Sequence, residues 1–302
     1  MAFSFPGTNR VTTLRGILTR SLAYSRTYNT RNLEHYWYPC WNHTLVDLTA
    51  DNSRLLVAPQ FPLYISPHAD IDDQQETNQD GDEEVDDSPR GEGEGGDEGP
   101  WIEGAASLGT TPQVGAQPQA DSEELMADLS FSTAATTPDA KAVARVTDFA
   151  ILHISPQQST ALPRRYEGYR VDRLTVPLIL EEKRFPSRSL AGDAFTDKLK
   201  TRVREAQEAA VFQVALLFRK FPAMQSVMVI AAAGPYWTNT TFRRSPTGRL
   251  SAEEFQKAMR IDDFAEIYRT VDHRRWSKAL RLNTSESTHR FRAIYNNLAK
   301  LG

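Results

Sequence analysis

Two short apolar runs of this chain each carry an acid where a strand core should be apolar. Residues 143–154 (VARVTDFAILHI) place Asp148 among Val, Phe, Ala and Ile, and residues 174–183 (LTVPLILEEK) end in Glu181, Glu182 and Lys183. The density of Val, Ile, Leu and Phe in such short runs predicts strands. A carboxylate buried in a strand is costly unless something compensates it. Side chains alternate along a strand, so Glu181 and Lys183 are expected on one side and Glu182 on the other. An acid on one strand, with an acid and a lysine on the next, predicts a shared divalent cation. Carboxylate oxygens suit Mg²⁺ or Mn²⁺, and an ammonium beside them suits a water or a phosphate oxygen; metal-assisted phosphodiester hydrolysis uses both. The competing explanation is structural. Asp148 would pair with Lys183 across the strands, and Glu182-Lys183-Arg184 would be the solvated end of a strand.

The elements around these runs form an ordered series. Residues 55–65 (LLVAPQFPLYI) predict a first strand, which Pro59 and Pro62 confine to a sheet edge or break. After the second acid-bearing run, Leu199, Val203, Ala206, Ala210, Val214, Leu217 and Phe221 recur at steps of three and four. They predict a helix over 196–221, closed by Pro222. Gln207 borders that stripe, one turn after Val203. Residues 227–233 (VMVIAAA), apolar throughout, predict a central strand stopped by Gly234-Pro235. The remainder reads as helical, with a capping box at Ser251-x-x-Glu254, a helix through Phe264, Ile267, Tyr268 and Val271, and another over 289–301. Ser122 opens a further short helix, SEELMADL.

At Asp148, Glu181 and Lys183 the chain resembles the PD-(D/E)XK nucleases, the restriction-endonuclease-like superfamily. Their pattern is an Asp on one strand, [D/E]-x-K on the next, then a helix on the sheet. Here Thr147 stands in the place of the motif proline. The resemblance covers roughly residues 123–234 and has the flavour of a fungal branch of that superfamily. It implies an α/β fold with a mixed sheet flanked by helices, and Mg²⁺ or Mn²⁺ held by Asp148, Glu181 and the Glu182 carbonyl. It also implies Lys183 acting on the attacking water, and products with a 5′-phosphate. Several branches of the superfamily place a Gln on the following helix, which nominates Gln207 as a further catalytic residue.

Charge is distributed unevenly. Residues 70–103 hold 15 acids and a single Arg, a net −14, so with −4 overall the remaining residues carry +10 (−4 less −14). A basic remainder fits a polyanionic partner, nucleic acid, and DNA before RNA. Between the two acid-bearing strands, Arg164, Arg165 and Arg170 interleave with Tyr166, a composition suited to phosphates and stacked bases or equally to an exposed hairpin loop. The first acid of the chain is Glu34. Residues 1–33 carry Arg10, Arg15, Arg20, Arg26 and Arg31, which fits a basic arm on nucleic acid, an amphipathic helix (Leu14, Ile17, Leu18, Leu22) lying on the domain, or a mitochondrial transit peptide.

The expected organisation is therefore a basic arm at 1–33, the start of the folded domain at 34–68, and a disordered acidic insertion at 69–121. A core follows at 122–240 and a helical extension at 241–302. The insertion has too few large apolar residues to offset its ordering entropy.

Other chemistries find no support. The single cysteine, Cys40, excludes a disulfide framework and predicts a packed thiol in a reducing compartment. A nuclear or cytoplasmic location is expected, and no membrane span. There is no P-loop and no G-x-S-x-G, and the six histidines lack zinc spacing. The main alternative to an active nuclease is an inactive nuclease-like protein that binds nucleic acid or acts as a scaffold. A third is a helical interaction protein in which the motif is coincidence.

Overall fold

Both acid-bearing runs are strands. β2 spans Val143–Gln158 and β3 spans Tyr169–Lys183, antiparallel to one another. A computed structural model of the chain describes residues 14–65, 142–158 and 169–301, apart from 247, 249 and 274. The chain divides into two units, 1–67 with 133–302, and 68–132. The second unit lies outside the described residues, and with it the acidic insertion and the SEELMADL helix expected there.

β1 (Leu55–Ile65) pairs antiparallel with β2 and forms one edge of the sheet. Pro59 and Pro62 lack an N–H, and an edge position tolerates that. Between the pairs Pro59↔Phe149 and Phe61↔Thr147 the ladder skips Gln60, which is held at φ 47. This kink lies across from Asp148. β3 is followed by the long helix α3 (Gly192–Lys220), which crosses over to β4 (Ser226–Ala233), parallel to β3. β5 (Tyr236–Arg244) then pairs antiparallel with β4 through the two-residue Gly234-Pro235 turn. Two short strands, β6 (Val271–His273) and β7 (Leu280–Arg281), both pair with β5, giving the order β1-β2-β3-β4-β5-β6 with β7 beside β5.

The C-terminal part is thus only partly helical. α4 (Ala252–Arg260) starts at the predicted capping box, and α5 (Phe264–Arg269) and α6 (Ser285–Leu298) follow. Of the extra strands, β5 was readable in YWTNTTFRR, whose aromatic and β-branched residues favour a pleated surface. A Gly-Pro pair can turn a chain back into a hairpin as readily as it ends a sheet.

Two apolar layers cover the sheet. On one face α3 (Ala210, Val214, Leu217) packs with Ala150, Ile179 and Val229, and α4 and α5 add Phe255, Met259 and Ile267. On the other, helix α2 (Tyr38–Thr49) supplies Trp41, Leu45 and Leu48 against Phe149, Leu178, Leu180 and Ile230, joined by Trp237 of β5 and Phe291 of α6. Adjacent β3 residues Ile179 and Leu180 therefore serve opposite layers, as a pleated strand requires. Cys40 is a buried free thiol in the second layer, as its aromatic surroundings predict.

Helix α1 (Leu14–Tyr24) departs from expectation. It packs through its small residues Gly16 and Ala23. The predicted apolar stripe faces outward instead, with Leu14 71%, Ile17 42%, Leu18 57% and Leu22 36% exposed. Small side chains let the helix backbone approach its neighbours, and the leucines then occupy the far side.

Candidate active site

The antiparallel register pairs Phe149 with Leu180 and Ala150 with Ile179. One step further along that register lie Asp148 and Glu181. Asp148 is held from two directions: its Oδ2 accepts the Glu182 main-chain N–H at 2.6 Å, and its Oδ1 accepts the Tyr38 hydroxyl. Glu181 is also held twice. Its Oε1 meets Lys183 Nζ at 2.7 Å, and its Oε2 accepts the Gln213 side-chain amide at 2.6 Å. Two same-facing residues of one strand thus form the ion pair, and the cross-strand Asp148–Lys183 pair of the structural explanation does not form.

Glu34 completes the group. It opens a short 3₁₀ turn (Glu34–Tyr36) just before α2, and its Oε1 lies 3.5 Å from the Tyr38 hydroxyl. Burial raises the Glu34 carboxyl from 4.5 to about 7; Lys183 opposes this rise and Glu181 adds to it. Burial, then the charges of Glu181 and Glu34, push Asp148 well above the ordinary carboxyl range. The hydrogen bonds from Tyr38 and Glu182 pull it back only in part. Burial alone would discharge Lys183, but Glu181, followed by Glu34 and Asp148, overrides it and holds the ammonium. An excess of mutually repelling carboxylates around one cation suits a divalent ion. The donors are hard oxygens, of the kind Mg²⁺ and Mn²⁺ take. Among the described residues no three of these side chains already stand as a ligand set. Protein donors occupy all four oxygens of Asp148 and Glu181, and a cation would have to displace some of them.

Glu182 is not the solvated strand end that its charged neighbours suggest. It is fully buried, and neither side-chain oxygen has a hydrogen-bond partner. Burial first, then Glu34 and Asp148, raise its pKa well above the ordinary value, as an unpaired carboxyl in an apolar layer requires.

The glutamine that reaches the site is Gln213, not Gln207. Gln213 is 3% exposed and also donates to the Val146 carbonyl at 3.1 Å, bridging β2 and β3 from α3. Gln207 is half-buried six residues earlier. The signal was present: Gln213 stands three residues after Ala210 and four before Leu217, inside the apolar stripe rather than beside it.

Glu34 and Tyr38 carried no such signal, because only the packing of α2 against β2 brings them to Asp148. Of the residues expected to touch nucleic acid, Arg164, Arg165 and Tyr166 lie outside the described residues. Arg170, the second residue of β3, pairs with Gln157, and its side chain is likewise outside them.

No protein-family model, no curated protein and no solved structure matches the chain.

Proposed function

We propose that this protein is a Mg²⁺- or Mn²⁺-dependent nuclease of the PD-(D/E)XK type, acting on DNA before RNA. The observation that carries the reading is the meeting of Asp148 with the Glu181-x-Lys183 strand end, locked by the hydrogen bond from the Glu182 N–H to Asp148. The element order helix, three antiparallel strands, crossover helix and parallel strand (α2, β1–β3, α3, β4) agrees with that superfamily's core.

Asp148, Glu181 and the Glu182 carbonyl, with Glu34 beside them, would hold the ion. When bound, it supplies Lewis-acid polarisation of the scissile phosphodiester. Lys183, kept charged by its carboxylate neighbours, orients the attacking water and offsets charge developing on the phosphoryl oxygens. Gln213 and Tyr38 act by position, fixing the carboxylates of Glu181 and Asp148.

One observation favours a second reading, a nuclease-like binding protein without catalysis: every oxygen of Asp148 and Glu181 already accepts a hydrogen bond from the protein. Labelled DNA and RNA incubated with the purified protein in Mg²⁺, Mn²⁺ or EDTA separate the two. Metal-dependent cleavage that is lost in both Asp148→Asn and Glu181→Gln supports the enzyme. Binding without cleavage in any metal supports the second reading, and full activity in either variant removes the proposed roles.

A further inference from the structure

Two stretches of the chain lack any carboxylate, and the fold packs them together beside the acid cluster. The first is the described part of the N-terminal region, residues 14–33. The second is residues 184–192 (RFPSRSLAG), which run from the end of β3 to the start of α3. The two are well tied. Asn32 donates its side-chain amide to the Phe185 carbonyl at 2.8 Å and the Pro186 carbonyl at 3.1 Å. Arg184 returns bonds to the Asn32 and Arg31 carbonyls, and Arg188 donates to the Ala23 carbonyl at 3.1 Å. The inner side of the N-terminal loop is fixed by Asn29, which bonds the Ala23 carbonyl at 2.9 Å and receives the Leu33 N–H at 2.7 Å.

This packing sets Arg184 against the main chain of Arg31, and Arg188 against that of Ala23 with the charge of Arg26 nearby. Among the described residues none of the four pairs with a carboxylate. Arg188 Nε is buried with no acceptor. Partial burial, and the like charge of Arg26 beside it, push the Arg188 guanidinium down from its usual range. Guanidiniums near one another without an anion are mutually repulsive, and Arg184 and Arg188 donate to main-chain carbonyls. The cluster is also continuous with the carboxylate site. Arg184 directly follows Lys183, and its main-chain N–H helps to hold the Glu34 carboxyl's pKa down against burial.

We propose that Arg26, Arg31, Arg184 and Arg188 form a phosphate-binding ledge that holds the backbone of a nucleic-acid strand next to the Asp148–Glu181 site. The fork of a guanidinium matches phosphate oxygens two at a time. Binding to phosphates sets position and register without reading sequence. The ledge rests on the reading of the substrate as a polynucleotide. It adds which residues grip the strand and on which side of the carboxylates it lies.

The test is binding rather than cleavage. Labelled single- and double-stranded DNA and RNA oligonucleotides are titrated with the Asp148→Asn protein in EDTA over a series of salt concentrations. The fold-safe variant is Arg26→Ala/Arg31→Ala, since both side chains are exposed; Arg188→Gln is the second variant, and melting curves verify both. Arg290→Ala/Arg292→Ala on α6 is the control. The double ledge variant should bind at least tenfold more weakly at low salt, and its log K–log salt slope should fall by about 2, one for each arginine that no longer neutralises a phosphate. The control should match the parent. Ledge variants that bind with the parent's affinity and slope, or a parent that binds no oligonucleotide, overturn the ledge. A parent that binds through the ledge yet never cleaves in Mg²⁺ or Mn²⁺ refutes the catalytic reading and leaves the ledge standing.

Discussion

Gln213 and Glu181 sit on different elements, α3 and β3, yet the amide of one meets the carboxylate of the other at 2.6 Å in a buried position. The same amide nitrogen donates to the Val146 carbonyl, so one side chain ties the crossover helix to both acid-bearing strands. Helix, strand and site are therefore coupled, and a change at Gln213 should be felt both in stability and in the placement of the Glu181 carboxylate.

Gln213→Ala should cost about 1–3 kcal/mol of stability, because it leaves a buried carboxylate oxygen and a buried carbonyl without their donor. It should also weaken Mn²⁺ affinity, by freeing Glu181 from its fixed orientation. Gln207→Ala should change neither. Thermal melting and Mn²⁺ titration calorimetry on the two variants check this, and equal effects would show that Gln213 is merely another buried polar residue.

Lys183→Ala should reduce the cleavage rate strongly while leaving oligonucleotide affinity nearly unchanged, since its work falls on the transition state. Lys183→Arg should not restore the rate, because a planar fork does not replace a compact ammonium beside Glu181. Single-turnover kinetics and binding isotherms separate the two effects. A Lys183→Arg protein as fast as the parent would reduce this lysine to a generic charge.

Stability without metal should fall as pH rises from about 4.5 towards 7. Glu34 has its folded pKa raised from 4.5 to about 7, so in that window the folded state holds a proton that the unfolded chain has released. Each such group contributes a slope of up to roughly 1.4 kcal/mol per pH unit, and the raised values of Asp148 and Glu182 act in the same direction. Glu34→Gln and Glu182→Gln should each flatten the curve. Mg²⁺ or Mn²⁺ should stabilise more as pH rises, because the ion takes up the charge the acids acquire. Melting temperatures measured across this range with EDTA and with Mn²⁺ give both curves; a parent curve that rises with pH in EDTA would contradict the raised values.

Gly234→Ala should destabilise the protein by about 1–3 kcal/mol. Gly234 turns β4 into β5 at φ +59, and an added Cβ would stand 2.7 Å from the Phe185 ring. Phe185 stands between Arg184 and Arg188 of the proposed ledge, so displacing it should also lower oligonucleotide affinity. Chemical denaturation gives the first quantity and anisotropy the second. An unchanged midpoint would mean that Phe185 can yield.

The sequence by itself determined the acid-bearing strands and their alternation, the long helix and its stripe, the central strand, and the capping box at Ser251. These follow from periodicity and local hydrogen bonding, which act within a few residues of chain. Only the tertiary structure decided which polar residues meet. Glu34 and Tyr38 reach Asp148 because α2 lies across the sheet at that point. Gln213 rather than Gln207 reaches Glu181, because a helix's period fixes the face a residue takes but not how far along the strands it lands. Burial of Glu182, outward display of the α1 leucines, and the packing of two acid-free segments on one another depend likewise on what covers each surface. That information lies in residues distant in sequence and in the volumes they fill, and no local pattern carries it.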